Sequence, residues 1–278
     1  MSLSYPGAAI FDMDGLLVDT EPVWHDVEIE VFGRHGVPLT VQRCLETKGM
    51  FLGEVVAYWH ARYPWHGASQ QVVAAEVVEA MATHLTRSVA LKPGVGHALD
   101  FCRRHGARLA LASSSPRRLI DVVVHGAGLD NRFSVLRSAE DEEAGKPDPA
   151  IFLTTAKLLG VEPGRCVVFE DSAAGVTAAK AAGMACVAVP EAPVSEGGRP
   201  EPGATVALAR ADVVLRSLEE LDDEVWARCA AALGAPSPGT AAPGTAAPGT
   251  AAPGTAAPGT AAPGTTGGSI PKKAPPAG

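Results

Sequence analysis

The sequence predicts an α/β fold: a doubly wound, Rossmann-like parallel sheet with an inserted α-helical segment. Three observations carry this. Short, unbroken apolar runs recur along the chain, as in strands covered on both faces. Helical patterns closed by glycine alternate with them. One long stretch, residues 22–92, has no convincing strand, and its apolar residues recur at helical spacing.

The strand-like runs come in order. AAIFD (Ala8 to Asp12) is the first and ARLALAS (Ala107 to Ser113) the second. FSVLR near Phe133 is weaker, and CVVFED (Cys166 to Asp171), MACVAV (Met184 to Val189) and DVVL (Asp212 to Leu215) follow. Ser115 and Pro116 open a helical pattern that reaches Gly126. Pro149 to Leu159 ends at Gly160, and Ser172 to Ala182 ends at Gly183. Strand and helix in alternation place these segments in one sheet with helices on both sides.

Within the insertion, Val23, Val27 and Val31 mark one helix, and Val73, Val77, Met81 and Leu85 mark another. Tyr58, Trp59, Tyr63 and Trp65 crowd its middle and are expected to form its core. Residues 1–21 and 93–230 are therefore read as an α/β catalytic core, and 22–92 as a helical cap. From Ala235 the chain reads APSPGT, then AAPGT five times from Ala241 to Thr265. Such a tail, 235–278, has too little apolar surface to offset its ordering entropy, and it is expected to be disordered.

Charge and cysteine usage narrow the class. Lysine and arginine number 23 against 31 acidic residues, a net of −8, with no basic cluster to track a phosphate backbone. No nucleic-acid partner is expected. The five cysteines, Cys44, Cys102, Cys166, Cys186 and Cys229, are odd in number and form no CxxC pair. They suit buried thiols in a reducing cytoplasm. No apolar run has the length of a membrane span or the build of a signal peptide, so a cytoplasmic protein without membrane contact is expected, with a monomer favoured.

The chemistry lies at the strand ends. IFDMDG puts Asp12 and Asp14 after the first strand, Ser113 follows the second, and Glu170 and Asp171 close CVVFED. In an open parallel sheet, ligands bind at the carboxyl ends of the strands, near the point where strand order reverses. Carboxylates from two strand ends can share a divalent cation, and oxygen-only donors suit magnesium. The Ser113 hydroxyl and the Lys146 ammonium, in GKPDP, complete a site for a dianion. Taken singly, these features have plainer readings. Two acids after a strand commonly make a turn or cap, a lone lysine is a solvated charge, and Ser115 reads as a helix cap. No histidine pair has zinc-type spacing with a cysteine partner.

DMDG, ASSSP, GKPDP and FEDSAAG stand in the order of four motifs, and through them the sequence resembles the haloacid dehalogenase superfamily over about residues 6 to 222. The insertion is similar to the cap of the β-phosphoglucomutase-like branch. FDMDGLLVDTEPVW, YWHARYPWHG and LASSSP look most like bacterial 2-deoxyglucose-6-phosphate and hexitol phosphatases. The resemblance implies that Asp12 is the nucleophile and Asp14 the general acid and base. It implies a magnesium ion held by Asp12, the Asp14 carbonyl and Asp171, with Glu170 nearby or acting through water. Ser113 and Lys146 would bind phosphoryl oxygens, with backbone N–H groups of Met13, Asp14 and Ser114. The second aspartate of the DxD pair points to phosphate esters, whose leaving oxygen needs a proton.

Specificity residues would come from the cap: Trp24, Glu46, Lys48 and Gly49. Trp24 stands where a phosphoglucomutase would place a histidine, and Phe51 stands where many relatives show an arginine. A mutase must grip a second phosphate, so the expected activity is a magnesium-dependent phosphatase for small sugar or sugar-alcohol phosphates. A β-phosphoglucomutase-like isomerase, a phosphatase for phosphoglycolate or nucleotide monophosphates, and a scaffold that binds a partner through its AAPGT tail are the alternatives.

Overall fold

In the computed structural model, which describes residues 5–48, 50–87, 89–190 and 208–233, six parallel strands form one sheet in the order β3-β2-β1-β4-β5-β6. The strands are β1 (Ala8–Phe11), β2 (Arg108–Ser113), β3 (Val135–Ser138), β4 (Cys166–Glu170), β5 (Ala185–Ala188) and β6 (Val213–Val214). Each lies within or beside the run that the sequence marks. The tail from 235 lies outside the described residues, as does Gly49.

Alternation along the strands sorts the core into two layers. Ala9 and Phe11 of β1, Leu109 and Leu111 of β2, and Val167 and Phe169 of β4 face one side. There they meet α5 (Val95–Arg104), α6 (Arg117–Gly126) and α9 (Asp223–Ala232). Ala8, Ile10, Ala110 and Val168 face the other side, against α7 (Ala150–Leu159) and α8 (Ala173–Ala181). Register fixes the strand ends: Phe11 pairs with Leu111 on one side and Phe169 on the other, where the two phenyl rings stack 4.5 Å apart. Asp12, Ser113 and Glu170 thereby leave the sheet at a common edge, at the switch between β2 and β4 around β1.

The insertion holds α1 (Glu21–Arg34), α2 (Val41–Cys44), α3 (Leu52–Arg62) and α4 (Gln70–Arg87). Val27, Val31, Val73, Val77, Met81 and Leu85 are all buried, as their helical spacing requires. Trp59 and Trp65 are buried, with Tyr58 edge-on to Trp59, so the aromatic cluster is packing material. The two connections to the sheet run side by side: Val18 bridges Leu91, and the Lys92 N–H donates to the Leu17 carbonyl at 2.8 Å. Gly94, at φ +82°, begins α5 where a Cβ would meet the Glu219 nitrogen at 2.2 Å. Its left-handed backbone and this close approach explain the glycine.

Candidate active site

The turn after β1 brings the site together. Gly15 has φ +76°, and a Cβ there would lie 2.2 Å from Asp171 Oδ2, so only glycine lets the DMDG turn pass against the acid that follows β4. Gly175 does the same for the other acid of that pair, since its Cβ would overlap the Glu170 carboxyl. Both motif glycines are thus places where backbone yields room to a carboxylate.

Lys146 crosses the floor of the site. Its Nζ donates to Asp12 Oδ1 at 2.6 Å, to Glu170 Oε1 at 2.6 Å and to the Ala112 carbonyl at 3.2 Å. All three hydrogens of the ammonium are accounted for. Burial by itself would lower the affinity of this ammonium for its proton, but the charges of Asp12 and Glu170 outweigh it and raise Lys146 above the usual lysine range. Burial pushes the Asp12 carboxyl up to about 8 against the opposing pull of Lys146, with Glu170 and Asp14 adding to the rise.

Asp12, Glu170 and Asp171 offer carboxylate oxygens that lie within 4.8 Å of one another. Glu170 already has both oxygens engaged, Oε1 by Lys146 and Oε2 by the Ser172 N–H and hydroxyl at 3.0 and 2.9 Å. Asp171 makes no hydrogen bond among the described residues, and burial, then the charges of Glu170 and Asp12, hold its carboxyl well above the usual range. Lys48 pulls in the opposite direction. A buried carboxylate without a donor, beside a second one, fits a hard divalent cation.

Asp14 is held differently. Its Oδ1 accepts from the Thr20 hydroxyl at 2.5 Å and from Trp24 Nε1 at 3.3 Å, and its Oδ2 accepts from Ser115 at 2.7 Å and Ser113 at 3.3 Å. One of these partners carries a correction. Ser115 does not cap α6, whose preceding residue is Pro116 and whose Arg117 N–H is met by Glu140 at 2.7 Å; its hydroxyl goes to Asp14 instead. Ser113 donates to Asp14, also accepts from the Ser115 N–H, and stands in the lining of the cleft.

Asp12, Asp14, Trp24, Lys48, Ser113, Ser114, Lys146 and Asp171 line one cleft of about 90 Å³. Met13 has its side chain in the core and is absent from the cleft lining. Glu46 is a correction. Its carboxylate accepts from Tyr58 at 2.7 Å and Arg62 at 2.6 Å on the exposed side of the insertion, outside the cleft lining. Sequence reasoning missed Thr20, His25 and Glu28. The last two follow Glu21 at helical spacing on α1, and that periodicity of polar residues beside an apolar stripe was the available signal.

An aspartate-rich site with one buried lysine, at the switch point of a parallel sheet, defines a phosphoryl-handling hydrolase. Residues 6–183 match the family model of the haloacid dehalogenase-like hydrolases, and the chain belongs to that family and is a phosphatase. It is 39% identical over 215 residues to hexitol phosphatase B of Escherichia coli, covering 77% of this chain and 93% of the relative. It is 32% identical over 225 residues to a phosphorylated carbohydrates phosphatase of Thermotoga maritima, covering 77% and 99%. The fold is shared with β-phosphoglucomutase of Clostridium difficile, at a TM-score of 0.66 and 24% identity, covering 79% of this chain and 94% of the other.

Proposed function

We propose that the chain is a magnesium-dependent phosphomonoesterase that hydrolyses small sugar or sugar-alcohol phosphates through an aspartyl phosphate on Asp12. The observation that carries this is the pairing of a nucleophile-type carboxylate with a buried ammonium, Asp12 with Lys146, next to a second aspartate held by four donors. The sugar part of the reading rests on the hexitol and carbohydrate phosphatase relatives.

In this reading Asp12 attacks phosphorus while Lys146 balances charge on the phosphoryl oxygens. Asp14 gives a proton to the leaving alkoxide, and then takes one from the water that attacks the acyl phosphate. Ser113, Ser114 and the backbone N–H groups after Asp12 orient the phosphoryl group. A magnesium ion held by Asp12, the Asp14 carbonyl and Asp171 would supply neutralisation of phosphoryl charge. The insertion, residues 22–92, acts as a cap that excludes water and contributes specificity from Trp24 and Lys48. Residues 1–21 and 93–230 form the catalytic core. The test is phosphate release from a panel of phosphorylated metabolites with magnesium present and withheld. Absence of release from every sugar phosphate, with magnesium present, overturns the proposal.

The mutase alternative needs a grip on a second phosphate. Phe51 offers none, and Lys48 is engaged by Glu21 at 3.3 Å.

A further inference from the structure

The cleft continues away from Asp12 along α1, where the helix presents Glu21, Trp24, His25 and Glu28 to it. Trp24 is anchored to Asp14, and Glu28 lies one turn further, about 6 Å along the axis. That is the reach of a short carbon chain attached to a phosphate at Asp12. Glu28 is 7% exposed, and among the described residues its hydrogen-bonding neighbour is the Cys44 thiol, a weak donor. His25 Nε2 is buried and makes no hydrogen bond; Glu21 Oε2 stands 3.6 Å away, beyond hydrogen-bond reach. Two buried polar groups on one wall of a substrate cleft therefore have hydrogen-bonding capacity that the protein itself does not meet. Buried polar groups are ordinarily satisfied, so the exceptions require an explanation.

Charge on this wall narrows what meets that capacity. Among the described residues lining it, Lys48 is the ammonium, and it is paired with Glu21. With Glu28 beside this pair, the wall carries more acid than base. A second phosphate or a carboxylate would be placed against two glutamates in a partly desolvated cleft. Neutral hydroxyls, which both donate and accept, match Glu28 and His25 without a charge penalty.

Resting on the phosphatase reading above, we infer that His25 and Glu28 are the specificity residues of the cleft, reading hydroxyls of a polyol monophosphate that carries no charge besides its phosphate, and turning away bisphosphates and phosphorylated acids. A site built to bond a hydroxyl rejects analogues that lack it, because its own buried groups are then left unpaired. The selection needs no contact with the phosphate.

The test compares wild type, Glu28→Gln, Glu28→Leu and His25→Ala on glucitol 6-phosphate, phenyl phosphate and fructose 1,6-bisphosphate, with thermal melts to confirm folding. Wild type should prefer glucitol 6-phosphate to the bisphosphate by about tenfold or more in kcat/KM, a loss of one hydrogen bond or the addition of one repulsive charge being enough. Glu28→Leu and His25→Ala should each lose about tenfold more on glucitol 6-phosphate than on phenyl phosphate, chiefly through KM. Glu28→Gln, whose amide still donates and accepts, should recover part of the polyol activity and narrow the discrimination against bisphosphate. Equal losses on glucitol 6-phosphate and phenyl phosphate in both truncations, with wild type active on the polyol phosphate, overturn the inference and leave the phosphatase reading standing. A wild type that hydrolyses phenyl phosphate but no sugar phosphate overturns that reading as well.

Discussion

Lys146 Nζ and Asp12 Oδ1 form a 2.6 Å ion pair in which the side chains are only 3% and 9% exposed. A buried pair of this kind is stabilising only while both members are present, because removing one leaves the other charged and unsolvated. Lys146 also serves Glu170, so its loss would strand two carboxylates.

The two ends of that pair should therefore respond differently. Asp12→Asn keeps the shape of the nucleophile and leaves Lys146 with Glu170, so the fold should persist while kcat falls about 10⁴-fold or more. Lys146→Met should lose activity and also about 3–5 kcal/mol of stability. Denaturant melts alongside phosphate-release assays check both. Substantial turnover by Asp12→Asn would remove it from the nucleophile role.

Asp171 is the carboxylate in the cluster without a hydrogen bond among the described residues. Asp171→Ala should weaken magnesium binding, seen by titration calorimetry, together with activity. Its melting temperature without metal should hold or rise, because an unsatisfied buried acid has been removed. An active variant that resists chelators would contradict the metal assignment.

The Ser115 hydroxyl, 2.7 Å from Asp14 Oδ2, positions the proposed general acid. Ser115→Ala should cost about tenfold on alkyl phosphates, the scale of one hydrogen bond to a charged group. The cost should shrink on aryl phosphates, whose leaving oxygen needs little protonation. A uniform loss across leaving groups would assign Ser115 to loop structure instead.

What the sequence reveals and conceals here has a physical pattern. The strand runs were legible because strands covered on both faces tolerate only apolar residues, as Ala8 to Phe11 show. The acids were legible because strand ends in such a sheet converge. Ser115 was misread because a serine before a helix ordinarily caps it, and only the position of Asp14 across the turn draws its hydroxyl away. Glu46 was misplaced because spacing along a loop does not say which side of it faces the cleft. His25 and Glu28 escaped notice because exposed and cleft-facing polar residues look alike on an amphipathic helix until the packing of α1 is known.

Glu28 offers a final prediction, on stability. Burial pushes its carboxyl from 4.5 up to about 7; the Cys44 thiol opposes the rise and the Glu21 charge adds to it. His25 and Lys48 complete the ionisable groups around this part of the cleft. A carboxyl raised on folding binds more protons in the native than in the unfolded state between those two values, so stability declines as pH rises through that window. The decline amounts to about 3 kcal/mol by pH 8, at roughly 1.4 kcal/mol per pH interval. Glu28→Gln cannot lose a proton, so it should gain stability relative to wild type as pH rises from 5 to 8. The melting-temperature difference between them should widen by about 5 °C over that range. Calorimetric melts at both pH values, in metal-free buffer, measure it, and a difference that does not change with pH would show that Glu28 does not titrate near neutrality. A carboxyl kept at such a cost in the wall of a substrate cleft is what a hydroxyl-reading role requires, since an apolar residue of the same size would pack there without the penalty.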